Sequence, residues 1–261
     1  MEGLGDVDVG KTIIVFIGPA GAGKSSLVHA YSRWLEELLN YRVYKVNLDP
    51  AAEYTPYTPD FDARSIVNIH KIAIEYGLGP NGALVKAMDV LASKISIIEE
   101  AIRSIDLDFV LVDTPGQMEI FIFRDIAVKL ADALRRISRQ LVVVFVVDAE
   151  VIRRYEDYAF ISVMSVAIQS RLGVDVIPII NKVDLEPEID VGGDLISDIS
   201  IVTERLKTSG VYGEMMKSIL NIVWLYSKAA RIPKVSAKML DSMEELHRIV
   251  HELTCSCGDL T

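Results

Sequence analysis

The chain has 261 residues, 51% of them hydrophobic, and a formal net charge of −10, so it can bury roughly 70–75% of its unfolded surface and needs no staples to hold a core. The negative charge argues against non-specific nucleic-acid or membrane-surface binding, though a local basic patch stays open, and neither direct nucleic acid nor membrane is expected as a partner. Its two cysteines, Cys255 and Cys257, make no disulfide framework, its longest apolar run (141–147) falls far short of the ~20 residues of a spanning helix, and residues 1–10 lack the basic start and apolar run of a signal peptide; a soluble, cytoplasmic protein is expected.

Along the chain, short β-branched runs alternate with helical patterns, the signature of a parallel sheet covered by helices. The first strand is expected over 12–17. It runs into Gly18-Pro-Ala-Gly-Ala-Gly23-Lys24-Ser25, which fits G-x-x-x-x-G-K-[ST] in the strand-before, helix-after setting that pattern requires. There Gly18, Gly21, Ala22 and Gly23 let backbone N–H groups close around a β-phosphate, and the helix N-terminus adds its dipole. Lys24 is expected to reach the β- and γ-phosphates and Ser25 to ligate magnesium, with Ser26 next in the phosphate-binding run. Leu27, Ala30, Tyr31, Trp34, Leu35 and Leu38 then recur at helical spacing until Asn40.

A second strand is expected over 43–48, ending in Asn47-Leu-Asp-Pro50, where Asp49 can serve as a strand-end cap. Within Asp60-Phe-Asp62-Ala-Arg64, a candidate first switch, Arg64 reads as a helix-start salt bridge before a charge stabiliser. By residue chemistry alone, Gly79-Pro80-Asn81-Gly82 is a turn before a helix, since Pro fixes φ and Asn-Gly suits turns. A long helix follows over 84–105. A helical crossover at this point lets the second and third strands be parallel, where a direct hairpin would make them antiparallel. Ras-like GTPases use the hairpin. The crossover is similar to the branch holding signal-recognition-particle GTPases, nitrogenase iron proteins and metal-insertion GTPases, which implies nucleotide-sandwiching dimers and, for Asp49, a role in orienting the attacking water.

The third strand, 109–113, ends in Asp113-Thr-Pro-Gly116-Gln117. A carboxylate there can hold a magnesium-bound water, the Gly116 N–H can contact a γ-phosphate, and Gln117 stands where Ras-like enzymes keep a water-orienting glutamine. Glu119 reads as a helix cap. Helices are expected over 119–136 and 151–172 around an apolar strand at 141–148, with Arg135-Arg136 and Arg153-Arg154 on solvated faces. A further strand, 174–180, leads into Asn181-Lys-Val-Asp184. Asp184 can accept both N1–H and N2–H₂ of guanine, a pair adenine lacks; the Lys182 stem can lie over the base, and Asn181 ties this loop to the glycine-rich one.

Residues 185–231 read as a helical insertion before the last strand. Its stripes, Leu195, Ile199, Val202 and Leu206, then Met215, Ile219, Ile222 and Val223, suit ordinary core or a nucleotide-sensitive groove for a client helix. The last strand, 234–236, carries Ser236-Ala237-Lys238, which resembles the companion motif whose backbone N–H reads guanine O6. A final helix spans 239–253, and Cys255-Ser-Cys257 beyond it offers too few ligands for a closed zinc site.

The ordered set, from the glycine-rich loop through Gly79-Pro80-Asn81, D-T-P-G-Q, N-K-V-D and S-A-K, resembles the GPN-loop GTPases over nearly the whole chain, with residues 1–10 outside the pattern. The resemblance implies an α/β, three-layer P-loop NTPase fold with a mostly parallel sheet, in one domain spanning 1–261. It implies GTP/GDP and Mg2+ as cofactors, and hydrolysis of GTP to GDP and phosphate. It further implies a homodimer in which the Gly-Pro-Asn loop of one subunit reaches the other's nucleotide, so that Asn81 acts in trans beside a catalytic set of Lys24, Asp49 and Gln117. An unknown client protein complex would be the object of the switch. A metal-insertion GTPase is disfavoured by only four histidines and no His-rich tract, and a phosphotransferase by N-K-V-D and the lack of an arginine-rich lid. Intact Lys24, Ser25, Asp113 and Gly116 argue against a non-catalytic binding module.

Overall fold

The computed structural model describes residues 10–152, 155–186 and 232–254, with positions 214, 215 and 218 between them. Its centre is a six-stranded, all-parallel sheet: β1 (Thr12–Ile17), β2 (Val43–Asn47), β3 (Phe61–Asp62), β4 (Phe109–Asp113), β5 (Gln140–Asp148) and β6 (Asp175–Asn181), in the order β3-β2-β4-β1-β5-β6. The middle strands are apolar between their ends because helices cover both faces. In β1 the alternation is visible. Ile13, Val15 and Ile17 enter one apolar cluster, and Ile14 and Phe16 the other. Each such fully buried side chain contributes about 1.5–3 kcal/mol.

The first cluster lies under α3 (Pro80–Ser93), α4 (Ile95–Arg103), α6 (Asp125–Ile137) and α7 (Tyr155–Leu172). The second lies under α1 (Lys24–Leu39) and α8 (Ser242–Thr254). Two shorter helices, α2 (Ile69–Tyr76) and α5 (Met118–Ile122), also lie among the described residues. The helix α1 stops where expected: Asn40 takes the left-handed conformation, φ 55°, and its N–H bonds the Leu35 carbonyl. The crossover is also as expected, with β2 and β4 adjacent and parallel, Asn47 level with Asp113. That register, with Phe16 level with Asp113, brings the ends of β1, β2 and β4 to one edge of the sheet, where open α/β sheets bind ligands.

Four elements differ from expectation. The helix read over 84–105 is two, α3 and α4, broken at Lys94 (φ −111°, ψ 20°). Moreover, α3 begins at Pro80, so Pro80, Asn81 and Gly82 are its first turn and not a turn before it. Proline suits that position because its missing N–H would have no helical partner there. The helix read over 119–136 is also two, α5 and α6, parted where Arg124 is extended (φ −99°, ψ 165°). The strand read over 234–236 is a single parallel bridge, Ile180 to Lys234. The helix expected from 151 starts at Tyr155, after a 3₁₀ turn at Ala149–Val151. Neither β3 nor α2 was anticipated. Of the insertion only 185, 186, 214, 215 and 218 are described, so its stripes fall outside the described residues, save Met215, which is exposed. Outside them too lie Arg153, Arg154, Cys255, Cys257 and residues 1–9.

Candidate nucleotide-binding site

The turn between β1 and α1 is built on close approaches. A Cβ on Gly18 would stand 2.3 Å from the Val146 carbonyl oxygen, so β5 admits only glycine there. Gly23 has φ +91°, and a Cβ on it would meet the Asn181 Nδ2 at 2.4 Å. That amide is fixed, donating to the Ala22 carbonyl at 2.8 Å, and so joins the loop after β6 to the loop after β1 as the sequence suggests. Gly23→Ala therefore combines left-handed strain, about 1–3 kcal/mol, with displacement of that amide. The expected outcome is a lowered melting temperature and nucleotide binding weakened at least about tenfold. A variant that melts and binds like the parent would contradict this packing.

Lys24 is buried, and its Nζ donates to the carbonyls of Gly18 (2.8 Å) and Pro19 (3.1 Å). Burial lowers its pKa, and the Asp113 and Asp49 carboxylates oppose that shift. Asp113, at the end of β4, is buried and accepts at Oδ2 from the Tyr57 hydroxyl at 2.9 Å. Burial pushes its carboxyl up to about 6, against the opposing pull of Ser25, Tyr57 and Lys24. Its Oδ1 is buried and has no hydrogen-bond partner among the described residues. An orphaned carboxylate oxygen beside Ser25 and Lys24 fits a magnesium-bound water, since a buried acceptor left unpaired costs about 1–3 kcal/mol. The Thr114 hydroxyl pins the next residue by donating to the Phe16 carbonyl at 2.7 Å.

Asp49 is tied at both carboxylate oxygens. Oδ1 accepts from the Ala51 N–H (2.9 Å) and Oδ2 from the Gly116 N–H (3.3 Å). Asn47 completes the corner, receiving the Asp49 N–H at 3.0 Å and donating to Asp62 at 3.0 Å. Gln117 donates from Nε2 to Asn81 Oδ1 at 3.0 Å, so these two candidates meet on an exposed surface beside Gly116. Arg64 forms the salt bridge the sequence favours, donating to both Asp62 oxygens and to the Ala52 carbonyl. Glu119 stands in the first turn of α5, which no side-chain cap closes.

On the base side, a cavity of about 220 Å³ opens between Gly23 and Ser26 of the glycine-rich turn and Lys182, Asp184, Ala237 and Lys238. The Ser236 hydroxyl donates to Asp184 Oδ1 at 2.6 Å, and Lys238 Nζ lies 3.0 Å from Oδ2. These contacts, Ser236 first, hold the Asp184 carboxyl below its usual range, so it is ionised at neutral pH. Lys182 is left-handed (φ 66°), and its Nζ donates to Asp148 Oδ2 at 2.6 Å. Sequence reasoning missed Tyr57 and Asp148. Asp148 was visible as a strand-end carboxylate, whereas nothing local marks Tyr57.

A family model described as "Conserved hypothetical ATP binding protein" matches residues 16–256. A GPN-loop GTPase of Pyrococcus abyssi is 37% identical over 254 residues, 95% of this chain and 100% of that protein. The chain belongs to the GPN-loop GTPase family. GPN-loop GTPase 3 of Dictyostelium discoideum is 30% identical over 233 residues, covering 86% of this chain and 81% of its own. The apo crystal structure of the Pyrococcus abyssi GTPase superposes with a TM-score of 0.82 at 34% identity, covering 94% of this chain and 98% of that one. The matched span of this GPN-loop chain contains the whole constellation, from Gly18 to Lys238.

Proposed function

We propose that the chain binds GTP with magnesium, hydrolyses it to GDP and phosphate, and works as a homodimeric switch in the assembly or maturation of a protein complex. The observation that carries the base reading is the ionised Asp184 at the mouth of the cavity beside the glycine-rich turn. Guanine offers it two donors in place of Lys238, whereas adenine offers no such pair and would leave a carboxylate oxygen unmatched. GTP should therefore bind far better than ATP, and Asp184→Asn should turn the preference towards xanthosine triphosphate. Competition titrations with the three nucleotides test this, and equal GTP and ATP affinities in the parent protein would overturn it.

In this reading Lys24 leaves the Gly18 and Pro19 carbonyls for the β- and γ-phosphates. Backbone N–H groups of Gly21, Ala22, Gly23, Lys24, Ser25 and Ser26 surround the phosphates at the start of α1. Ser25 and Asp113 would hold magnesium, Asp113 through a water, and the ion when bound neutralises developing phosphate charge. The Gly116 N–H turns from Asp49 to the γ-phosphate. Asp49, released, is then placed to orient water with Gln117. Asn181 keeps the two loops in register while Lys182, Ser236, Ala237 and Lys238 surround the base.

Asn81 supplies a donor amide across a dimer. Its exposure at the start of α3, and the exposed Ile74, Tyr76 and Phe123 on the neighbouring α2 and α5 segments, support pairing through this face. No helix among the described residues is long and apolar enough to cross a membrane, and the cytoplasm remains the proposed location.

A further inference from the structure

The segment between β2 and β3 crosses the phosphate edge and is fixed there at three points. At its start Asp49 accepts from the Gly116 N–H (3.3 Å). At its end Asp60 accepts the Lys45 N–H (2.8 Å) and returns its own N–H to the Lys45 carbonyl (2.8 Å). Between them Tyr57 is 7% exposed, its ring in the apolar cluster beneath α1 and its hydroxyl 2.9 Å from Asp113 Oδ2. The Thr55 hydroxyl donates to the Tyr57 carbonyl at 2.9 Å and sets the local turn.

We propose that Tyr57 is a positioning residue for the cation site: its hydroxyl holds Asp113 Oδ2 and thereby presents Oδ1 to a magnesium-bound water, and it locks the 50–60 segment to that site. The inference rests on the reading of Asp113 as a magnesium residue. A carboxylate on a short side chain has a broad, two-fold terminal torsion. With Ser25 also drawing on this carboxylate, the Tyr57 donor at Oδ2 favours one orientation, in which Oδ1 is the oxygen without a partner. Outer partners of this kind orient the groups that meet a metal, and removing one typically costs 10–100-fold in metal affinity or activity. The hydroxyl is the only part of Tyr57 that performs this task. The buried ring serves the core, so Tyr57→Phe separates the two.

The test uses the full chain and a fluorescent GDP. In the parent, magnesium should slow nucleotide dissociation, and the concentration for half the effect is the readout. In Tyr57→Phe that concentration should rise about 10–100-fold, with nucleotide affinity in excess chelator unchanged and the slow dissociation restored at high magnesium. Introducing Tyr57→Phe into an Asp113→Asn background should add little, because the hydroxyl acts through that carboxylate. An unshifted half-effect concentration in Tyr57→Phe, an equal loss of affinity in chelator, or additive effects in the double variant would overturn the proposal. Hydrogen exchange on the parent gives a check that needs no variant. Protection of residues 50–60 should rise when magnesium joins GDP, and unchanged protection would also count against it. A parent whose dissociation ignores magnesium would instead overturn the underlying reading of Asp113.

Discussion

Lys24→Ala is expected to abolish measurable hydrolysis and to weaken GTP binding by about a thousandfold. An ammonium about 4 Å from a phosphate charge, at an effective dielectric constant near 20, contributes about 4 kcal/mol, and each 1.36 kcal/mol is a factor of ten. The group is well placed for such an effect because it is buried: desolvation lowers its pKa, and a cation kept from water acts on a nearby anion with little screening. The free protein feels the loss as well, since the Gly18 and Pro19 carbonyls lose their donor. Thermal melting should therefore accompany calorimetric titration with GTP and an assay of phosphate release. Lys24→Arg, which keeps charge but not shape, should recover little turnover, because a planar fork does not replace a compact point charge. Turnover by Lys24→Ala near the parent rate would refute the assignment of the glycine-rich turn.

Asn81→Ala is expected to slow hydrolysis by about 10²–10³ while leaving GTP affinity little changed, the loss typical when one donor to developing charge is removed. In the single chain the Asn81 side chain receives the Gln117 amide, so its own amide is available to donate elsewhere. The trans role is separable from a local one. Mixing Asn81→Ala subunits with Lys24→Ala subunits creates, in each mixed dimer, one site with an intact Lys24 facing an intact partner Asn81. Recovery above either variant alone, up to about half the parent activity per dimer for independent sites, is the expected result. No recovery despite demonstrated mixed dimers would place the action of Asn81 within its own chain. Gln117→Ala then asks whether the bond to Asn81 matters to that chain.

The parts of the site read from sequence are those whose chemistry is local. The glycine-rich turn, the Asn181 tie and the ends of β1 and β4 follow from contiguous residues whose strand-then-turn pattern has few alternatives. The crossover also emerged, because a helical pattern between two apolar strands supplies the connection that parallel pairing needs. The breaks at Lys94 and Arg124 did not, since neither glycine nor proline marks them. Arg124 is extended while its guanidinium bonds both oxygens of Asp89 on α3, a tertiary contact. The two-residue β3 is too short to carry an alternation. Asp49 to Gly116 and Tyr57 to Asp113 join positions far apart in the chain, and no window of sequence contains both ends.

The bonds at Lys24, Asp49 and Asp184 have a joint consequence for how tightly a nucleotide is held. Each group that would greet a ligand is already engaged by the chain: Lys24 by two carbonyls, the Gly116 N–H by Asp49, and Asp184 by Lys238. In the proposed reading, binding there is a swap of partners, and the bond given up offsets part of the gain from each new contact. A departing nucleotide would hand these three contacts back to the chain, so their polar groups would not be left unpaired. Asp113 Oδ1 is different, because no side chain or backbone group among the described residues substitutes for its partner. In the proposed reading, the cation before that carboxylate oxygen would add to nucleotide retention, beside the charge of Lys24, a contribution that no described group of the chain replaces.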